Sequence, residues 1–389
     1  MRSAFLGLLA CVLPLAACST GGEEDRSSEV LLAETHQISF IAGRARFPEA
    51  YPIKPAKYAL QGLLILQKDG NYRIAEPGFR TSDPFRYSLS ELGELLIFVR
   101  RSGRSSLRLS GTYDLDGDTF FFAKRLLDLP VPSQSVLSLY CGVKELESEA
   151  DLVDDWSVFG TTLVFDDSQA KATPDRIGRA FGGGFTIEKD ANDELVLKNG
   201  SWKDSSPIVV TVTGGAETRG KGGVLLDLSL DGGLATGKRS YEGGVGAHVG
   251  VLTDTASGDG EVGILCLLRG MSTPADKARL VGTWRLGVYT IFNSTLEPGT
   301  DAAIGKLELS DDDSWRIVVV GASQQPFEYR GTYTIDTGGK LTFLETSRNQ
   351  SWPAAVSADY RNLVIVDSTT DRVNPEVGVF FGIRELVSK

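Results

Sequence analysis

The chain reads as an all-β protein built from three tandem antiparallel domains. Strand-length segments of alternating polarity are separated by turn residues at intervals of about 8–15 positions, with no helical crossovers. Forty-four glycines and 18 phenylalanines among 389 residues suit many short strands joined by tight turns. Three landmarks also recur in the same order three times. Their spacing exceeds that of solenoid repeats, so each copy is expected to be a whole domain with its own core.

The N-terminus stands outside this plan. Arg2 is followed by an apolar run from Ala4 to Leu15, too short to span a bilayer. Leu15-Ala16-Ala17-Cys18 resembles the lipobox of bacterial lipoproteins. The resemblance implies cleavage after a signal peptide of residues 1–17 and lipid on Cys18, which becomes the new N-terminus. Ser19, where an aspartate would signal retention, implies the outer membrane, at its periplasmic face or the cell surface. An ordinary secretory signal with a chance cysteine is the alternative. Residues 18–35 are small and polar and read as a flexible tether. The formal charge of −11 becomes −12 once Arg2 leaves with the signal. An acidic surface disfavours nucleic acid and peripheral docking on anionic lipid, so the membrane is reached through the anchor on Cys18.

The three units are placed at residues 36–147, 155–271 and 278–389. Unit three opens on Leu280-Val281-Gly282-Thr283-Trp284-Arg285-Leu286. Its outline returns at Ile41–Phe47 around Gly43 and, more weakly, at Val158–Val164 around Gly160. That alignment puts Ala45 and Thr162 at the tryptophan position. The second landmark is a hairpin, at Gly62–Arg73, Gly183–Asn192 and Gly305–Arg316, where aspartate, glycine and asparagine make the turn. A further hairpin is read at Gly111-Thr112-Tyr113, Leu226–Leu234 and Gly331-Thr332-Tyr333. The closing strands align Tyr140-Cys141-Gly142-Val143-Lys144, Leu265–Arg269 and Phe380–Arg384. One face of each is apolar: Leu139, Cys141, Val143; Ile264, Cys266, Leu268; Val379, Phe381, Ile383. This face is expected to point into its own barrel. Cys141 and Cys266 would then be free thiols buried in separate cores, acting as small hydrophobes. Short helical turns are expected at Ser88–Leu92 and Pro274–Leu280.

The Gly-x-Trp strand at 282–284, the Gly305–Arg316 hairpin and Gly331-Thr332-Tyr333 together resemble small bacterial lipocalin-like domains. The likeness covers most of unit three, less of unit one and least of unit two. It implies three antiparallel β-barrels; β-sandwiches are the alternative. It also implies that Trp284 packs under Arg384 near a closed barrel end, leaving the other end for a small apolar ligand. Side-chain alternation places these two residues on opposite faces, so the arginine would have to curl around the rim.

Other chemistry is thin. Asp114–Asp118 and Asp311–Asp313 carry carboxylates of the kind calcium takes, but Arg125 stands where an EF-hand needs glutamate. Hairpin tips use the same residues. His36 and His248 have no second metal ligand at a familiar spacing, and His248 reads as part of a strand. Gly182-Gly183-Gly184 opens no helix and does not read as a phosphate cradle. There is no nucleophile elbow. The sequence therefore points to no enzyme, no cofactor and no metal. It suggests a lipid-anchored binding or interaction module, for a small apolar ligand at Trp284 and Arg384 or for an envelope protein. The alternative is a structural or adhesive part of an outer-membrane assembly, with filled barrels.

Overall fold

The computed structural model describes residues 36–45, 59–75, 85–100, 106–115, 119–126, 136–144, 152–166, 175–204, 209–219, 223–232, 237–254, 261–292, 299–320, 326–368 and 376–385. The expected signal peptide, lipobox and tether lie outside these residues.

The protein consists of three tandem antiparallel lipocalin-like β-barrels. Barrel one contains β1 (His36–Ala45), β2 (Ala59–Leu66), β3 (Asn71–Ala75), β4 (Phe85–Leu89), β5 (Glu94–Arg100), β6 (Ser106–Tyr113), β7 (Thr119–Leu126) and β8 (Val136–Lys144). Barrel two contains β9 (Asp154–Asp166), β10 (Asp175–Lys189), β11 (Leu195–Asp204), β12 (Val209–Arg219), β13 (Gly223–Asp231), β14 (Gly237–Val245), β15 (Val249–Asp254) and β16 (Glu261–Arg269). Barrel three contains β17 (Gly282–Phe292), β18 (Gly299–Leu309), β19 (Ser314–Val320), β20 (Pro326–Ile335), β21 (Lys340–Glu345), β22 (Gln350–Val356), β23 (Asn362–Ser368) and β24 (Glu376–Arg384). Each strand pairs with the next, and the eighth closes on the first. Closure leaves no free sheet edge, which excludes the sandwich alternative.

One end of each barrel is made of short turns. Many share one device. The first turn residue, Asp190 or Asp336 for example, accepts backbone N–H groups two and four residues on. A left-handed residue then completes the turn: Gly70, Gly93, Asp193, Asp313 or Gly339, with φ between 67° and 83°. Ser88–Leu92, expected to be helical, belongs to such a hairpin. Ser90 Oγ accepts from the Leu92 and Glu94 N–H groups, holding the β4–β5 turn. The turn at Lys277–Arg279 is a short 3-10 helix capped by Asp276.

The strand registers correct part of the repeat. Opposite Lys144, Arg269 and Arg384 on the closing strands stand Ile38, Trp156 and Trp284. Ile38 and Trp156, rather than Ala45 and Thr162, therefore occupy the tryptophan position. The first hairpin was aligned in the right register: Gly62, Gly183 and Gly305 face Phe40, Val158 and Leu286, each two residues further on. The Gly-Thr-Tyr hairpins are not equivalent. Tyr113 lies on the sixth strand of its barrel, Leu226 on the fifth and Tyr333 on the fourth. The true counterpart of Tyr333 is Tyr87, also on a fourth strand. Tyr87 and Tyr333 each donate a backbone N–H to the left-handed residue of the preceding turn, Gly70 or Asp313, at 2.9 and 2.8 Å. Their hydroxyls donate to the Gln67 and Ser310 carbonyls at 2.9 Å. Tyr113 reuses the backbone half of this device against Gly93.

The largest correction concerns which face of the closing strand is inside. Phe380 and Leu363 belong to the interior cluster of barrel three, with Trp284, Trp315 and Phe343. The alternate residues, Val379, Phe381 and Ile383, point outward. Leu139, Cys141 and Val143 do the same in barrel one, and Ile264, Cys266 and Leu268 in barrel two. All nine meet in one buried cluster between the barrels. Burying a side chain of the Val, Leu or Phe class stabilises by roughly 1.5–3 kcal/mol. The barrels therefore do not have only private cores; a fourth core joins them.

The geometry of the junction is cyclic. β1, β2 and β8 of barrel one meet β14, β15 and β16 of barrel two. β9, β10 and β16 of barrel two meet β23 and β24 of barrel three, and β17, β18 and β24 meet β7 and β8 of barrel one. One kind of face, built from strands one, two and eight, thus meets another, built from the last strands, three times. The barrels close a ring about an approximate three-fold axis. Approach is close: a Cβ on Gly287 of barrel three would lie 2.7 Å from Phe121 and 2.9 Å from Leu139 of barrel one.

Candidate functional site

The two residues singled out by sequence, Trp284 and Arg384, are brought together. Both lie on the inner face, directly opposite each other, so the arginine does not need to pass around a rim. The Arg384 guanidinium carbon is 5.9 Å from the centre of the Trp284 ring, within reach of a cation–π contact. Arg384 also donates to the Val281 carbonyl at 2.9 Å and to the Arg279 carbonyl. Trp284 Nε1 donates to the Leu280 carbonyl at 3.1 Å. Gly282, at φ 137°, takes a backbone conformation that favours glycine, and this explains the first letter of the Gly-x-Trp signal. Burial, with Arg279 and Arg361 nearby, lowers the pKa of Arg384 from its usual value. The pair makes a floor.

Barrel two has the same floor, which sequence reasoning missed. Trp156 Nε1 donates to the Leu152 carbonyl at 3.0 Å, and the Arg269 guanidinium lies 5.1 Å from the Trp156 ring. The signal was present: Leu152-Val153-Asp154-Asp155-Trp156 matches Leu280-Val281-Gly282-Thr283-Trp284 at its first, second and last positions.

Above its floor, barrel three is packed with rings. Trp315 lies 5.4 Å from Phe343 and 5.5 Å from Trp352, and Trp352 lies 5.3 Å from Tyr329 and 5.7 Å from Phe380. Barrels one and two hold comparable clusters of buried rings, Tyr72, Tyr113, Phe120 and Phe122 in one and Phe181, Phe185, Trp202 and Tyr241 in the other. Toward the open end of barrel three, two buried polar atoms have no hydrogen-bond partner: Trp352 Nε1 and Gln350 Oε1. Phe327, at the rim on the same inward side as Tyr333, is 51% exposed.

The turns between sixth and seventh strands come together at the floor end of the ring. Asp114 of barrel one pairs with Arg361 of barrel three at 3.0 Å, and Thr119 Oγ1 donates to Asn362 Oδ1 at 2.8 Å. His248 of barrel two lies 3.9 Å from Asp359 of barrel three. His248 occupies a bend rather than a strand, where its carbonyl accepts from the Arg269 N–H. A neighbouring salt bridge links Arg285 to Glu94 across barrels at 2.9 Å.

The remaining sequence candidates have structural duties. Asp312 accepts from the Ser314 N–H and hydroxyl, and these bonds lower its pKa. Asp313 pairs with Lys277. The Gly182–Gly184 run lies within β10, where a Cβ on Gly183 would fall 2.1 Å from the Ser201 carbonyl oxygen. Among the described residues no group of three or more His, Cys, Asp or Glu side chains could hold a metal ion. Cys141 and Cys266 are free and buried. Burial raises both thiol pKa values, that of Cys266 to about 12, and the charge of Cys266 adds to the effect on Cys141.

No protein-family model and no curated protein matches the chain. Among solved structures, it is similar to a double mutant of the vaccine antigen transferrin binding protein B from Haemophilus parasuis Hp5. Identity there is 8%, over 93% of this chain and 78% of that one, with a TM-score of 0.32. Intact Ap-TbpB, with N and C lobes, gives 9% identity over 92% and 78%, with a TM-score of 0.29. A protein with unknown function from the DUF3598 family of Nostoc punctiforme PCC 73102 gives 10% over 90% and 95%, with a TM-score of 0.20. TM-scores this low carry no argument about what the chain does.

Proposed function

We propose that the protein is a non-catalytic binding module of the cell envelope, anchored to the outer membrane through lipid on Cys18. One observation supports the binding reading: a buried cluster of residues from all three closed barrels joins them into one body. Such a body offers preorganised outer surfaces and rims, which lower the ordering cost of association. The anchor rests on the lipobox motif. Metabolic labelling with a fatty acid tests it: the intact chain should take up label and Cys18→Ser should not. Equal labelling of both would remove the anchor from this account.

A second reading places a small ligand in barrel three. The floor at Trp284 and Arg384 would seal one end, and Trp352 Nε1 and Gln350 Oε1 favour a ligand bearing both an acceptor and a donor, since buried polar atoms rarely stay unpaired. An environment-sensitive apolar dye titrated into the full chain tests this. Binding that weakens several-fold in Trp352→Phe supports it. No binding leaves the filled-barrel, surface-interaction account, including a structural or adhesive role.

A further inference from the structure

Polar side chains collect inside barrel three at the end away from the Trp284–Arg384 floor. Inward positions alternate along each strand, so Thr290 follows Trp284, Leu286 and Val288 on β17, and Asp367 follows Leu363 and Ile365 on β23. Both are buried. Gly378 of β24 stands between them, opposite Asp367 on one side and Thr290 on the other. A Cβ at Gly378 would lie 3.4 Å from the Phe380 ring and 3.5 Å from Thr290 Oγ1. Glycine therefore spares the space of a side chain between a carboxylate, a hydroxyl and an aromatic ring.

The barrel wall loses its ladder at the same level. β22 and β23 pair only from Ala354 opposite Ile365 to Val356 opposite Leu363. The Val356 N–H donates to the Gly339 carbonyl, on the β21 side. Alternation turns the Ala355 and Pro353 nitrogens toward β23, and proline has no N–H to give. Carried two residues on, the same register would set Trp352 against Asp367, both facing inward. Trp352 Nε1 and Gln350 Oε1, buried without hydrogen-bond partners, thus lie on the strand that faces the carboxylate. Trp352 also stacks on Phe380, with centroids 5.7 Å apart at 24°. The position of Asp367 recurs in barrel two. Val249 faces Leu268 as Asn362 faces Ile383, and five residues further along each strand stands a buried aspartate, Asp254 or Asp367. Across from Asp254 stands Tyr241 rather than a tryptophan.

We propose that this part of barrel three receives a small organic ammonium ion that bears a hydroxyl group. The proposal rests on the reading that barrel three holds a small ligand, and it names the class. Asp367 supplies the countercharge and Thr290 Oγ1 accepts one ammonium N–H. The ring faces of Phe380 and Trp352 favour a cation over a neutral group of the same shape. The hydroxyl of the ligand accepts from Trp352 Nε1 and donates to Gln350 Oε1, so one group meets both needs. A ligand carrying a carboxylate would be repelled by Asp367.

Calorimetric titration of the full chain with tyramine tests this, beside its uncharged counterpart tyrosol and its anionic counterpart para-hydroxyphenylacetate. Tyramine should bind about ten-fold or more tighter than tyrosol, the worth of one charge-assisted hydrogen bond, and the acid should not bind. Asp367→Asn should bring tyramine down to the level of tyrosol and leave tyrosol where it was. Asp254→Asn, the same change at the same place in barrel two, should alter neither. Trp352→Phe should weaken tyramine and tyrosol together, and it locates the site even if Asp367→Asn fails to fold. Equal affinity for tyramine and tyrosol, or a preference for the acid, overturns the ammonium class. A preference that survives Asp367→Asn, or tyramine binding indifferent to Trp352→Phe, overturns the placement. If none of the three binds while the apolar dye does, the class falls and a ligand in barrel three stands. If the dye also fails to bind, both fall.

Discussion

Phe381→Ala is the most direct probe of the fourth core. Phe381 belongs to barrel three, is fully buried, and meets Phe121 of barrel one edge to face, with centroids 6.3 Å apart at 84°. Removing a buried phenyl ring costs about 3–5 kcal/mol when the cavity does not collapse. Collapse is hindered here, because the surrounding residues come from three closed barrels whose backbones are fixed by their own ladders. Cys141 and Cys266 report the effect from barrels one and two. Under conditions where thiol labelling follows the population of the open form, that loss should speed labelling of both cysteines by roughly two to three and a half powers of ten. Thr342→Ala, on the exposed face of the same barrel, should leave both rates unchanged. Suppose Phe381→Ala disturbs barrel-three tryptophan fluorescence while both thiols label at the parental rate. The barrels would then open independently, and the shared core would have no energetic meaning.

Titration of the denatured, unreduced mature protein should find two free thiols, and the native protein at pH 8 should show almost none reactive; finding no thiols after denaturation would mean that Cys141 and Cys266 are bonded to each other. Gly287→Val should destabilise by about 1–3 kcal/mol in urea unfolding, because its side chain would enter Phe121 and Leu139. Tyr87→Phe and Tyr333→Phe should each cost about 0.5–1.5 kcal/mol at neutral pH, one hydrogen bond apiece. Burial, aided by the nearby aspartates, raises both phenol pKa values to about 12 from an ordinary 10. The stability that depends on keeping these phenols protonated is complete below pH 10 and is lost as pH rises toward 12. The double variant should therefore show a flatter alkaline stability profile between those values. Millimolar calcium should leave the melting temperature unchanged, since Asp312 is already engaged in its turn.

What was legible in the sequence follows from what kind of signal each feature left. Alternation and turn chemistry are local, so the β class and the first hairpin of each unit could be read at Gly62, Gly183 and Gly305. The closing strands aligned correctly because a terminal cation, Lys144, Arg269 or Arg384, marks their register, with a glycine two residues before it in the first and third. Gly-Thr-Tyr misled because it serves any strand laid across a preceding turn, and so marks no fixed place in a barrel. The reversal of inside and outside had a subtler cause. Leu363–Val366 and Ile264–Leu268 are apolar at every position, as in strands buried on both faces. Alternation cannot tell a barrel's own interior from a face covered by its neighbour, and only the ring shows that both are covered. The Trp284–Arg384 contact was legible as a pair but not in its geometry, because that depended on the same choice of face.

The ring has a consequence for copy number. A linear stack of repeats can gain or lose a member and keep a cap at each end. Here every barrel turns its first-strand face to one neighbour and its last-strand face to the other, so three is the number at which no face is left over. A chain shortened by one barrel would carry two complementary uncovered faces on the same molecule. These would seek each other between chains, head to tail, and growth would stop only if the angle happened to close. Recombination between the repeats would thus yield sticky polymers rather than smaller working proteins.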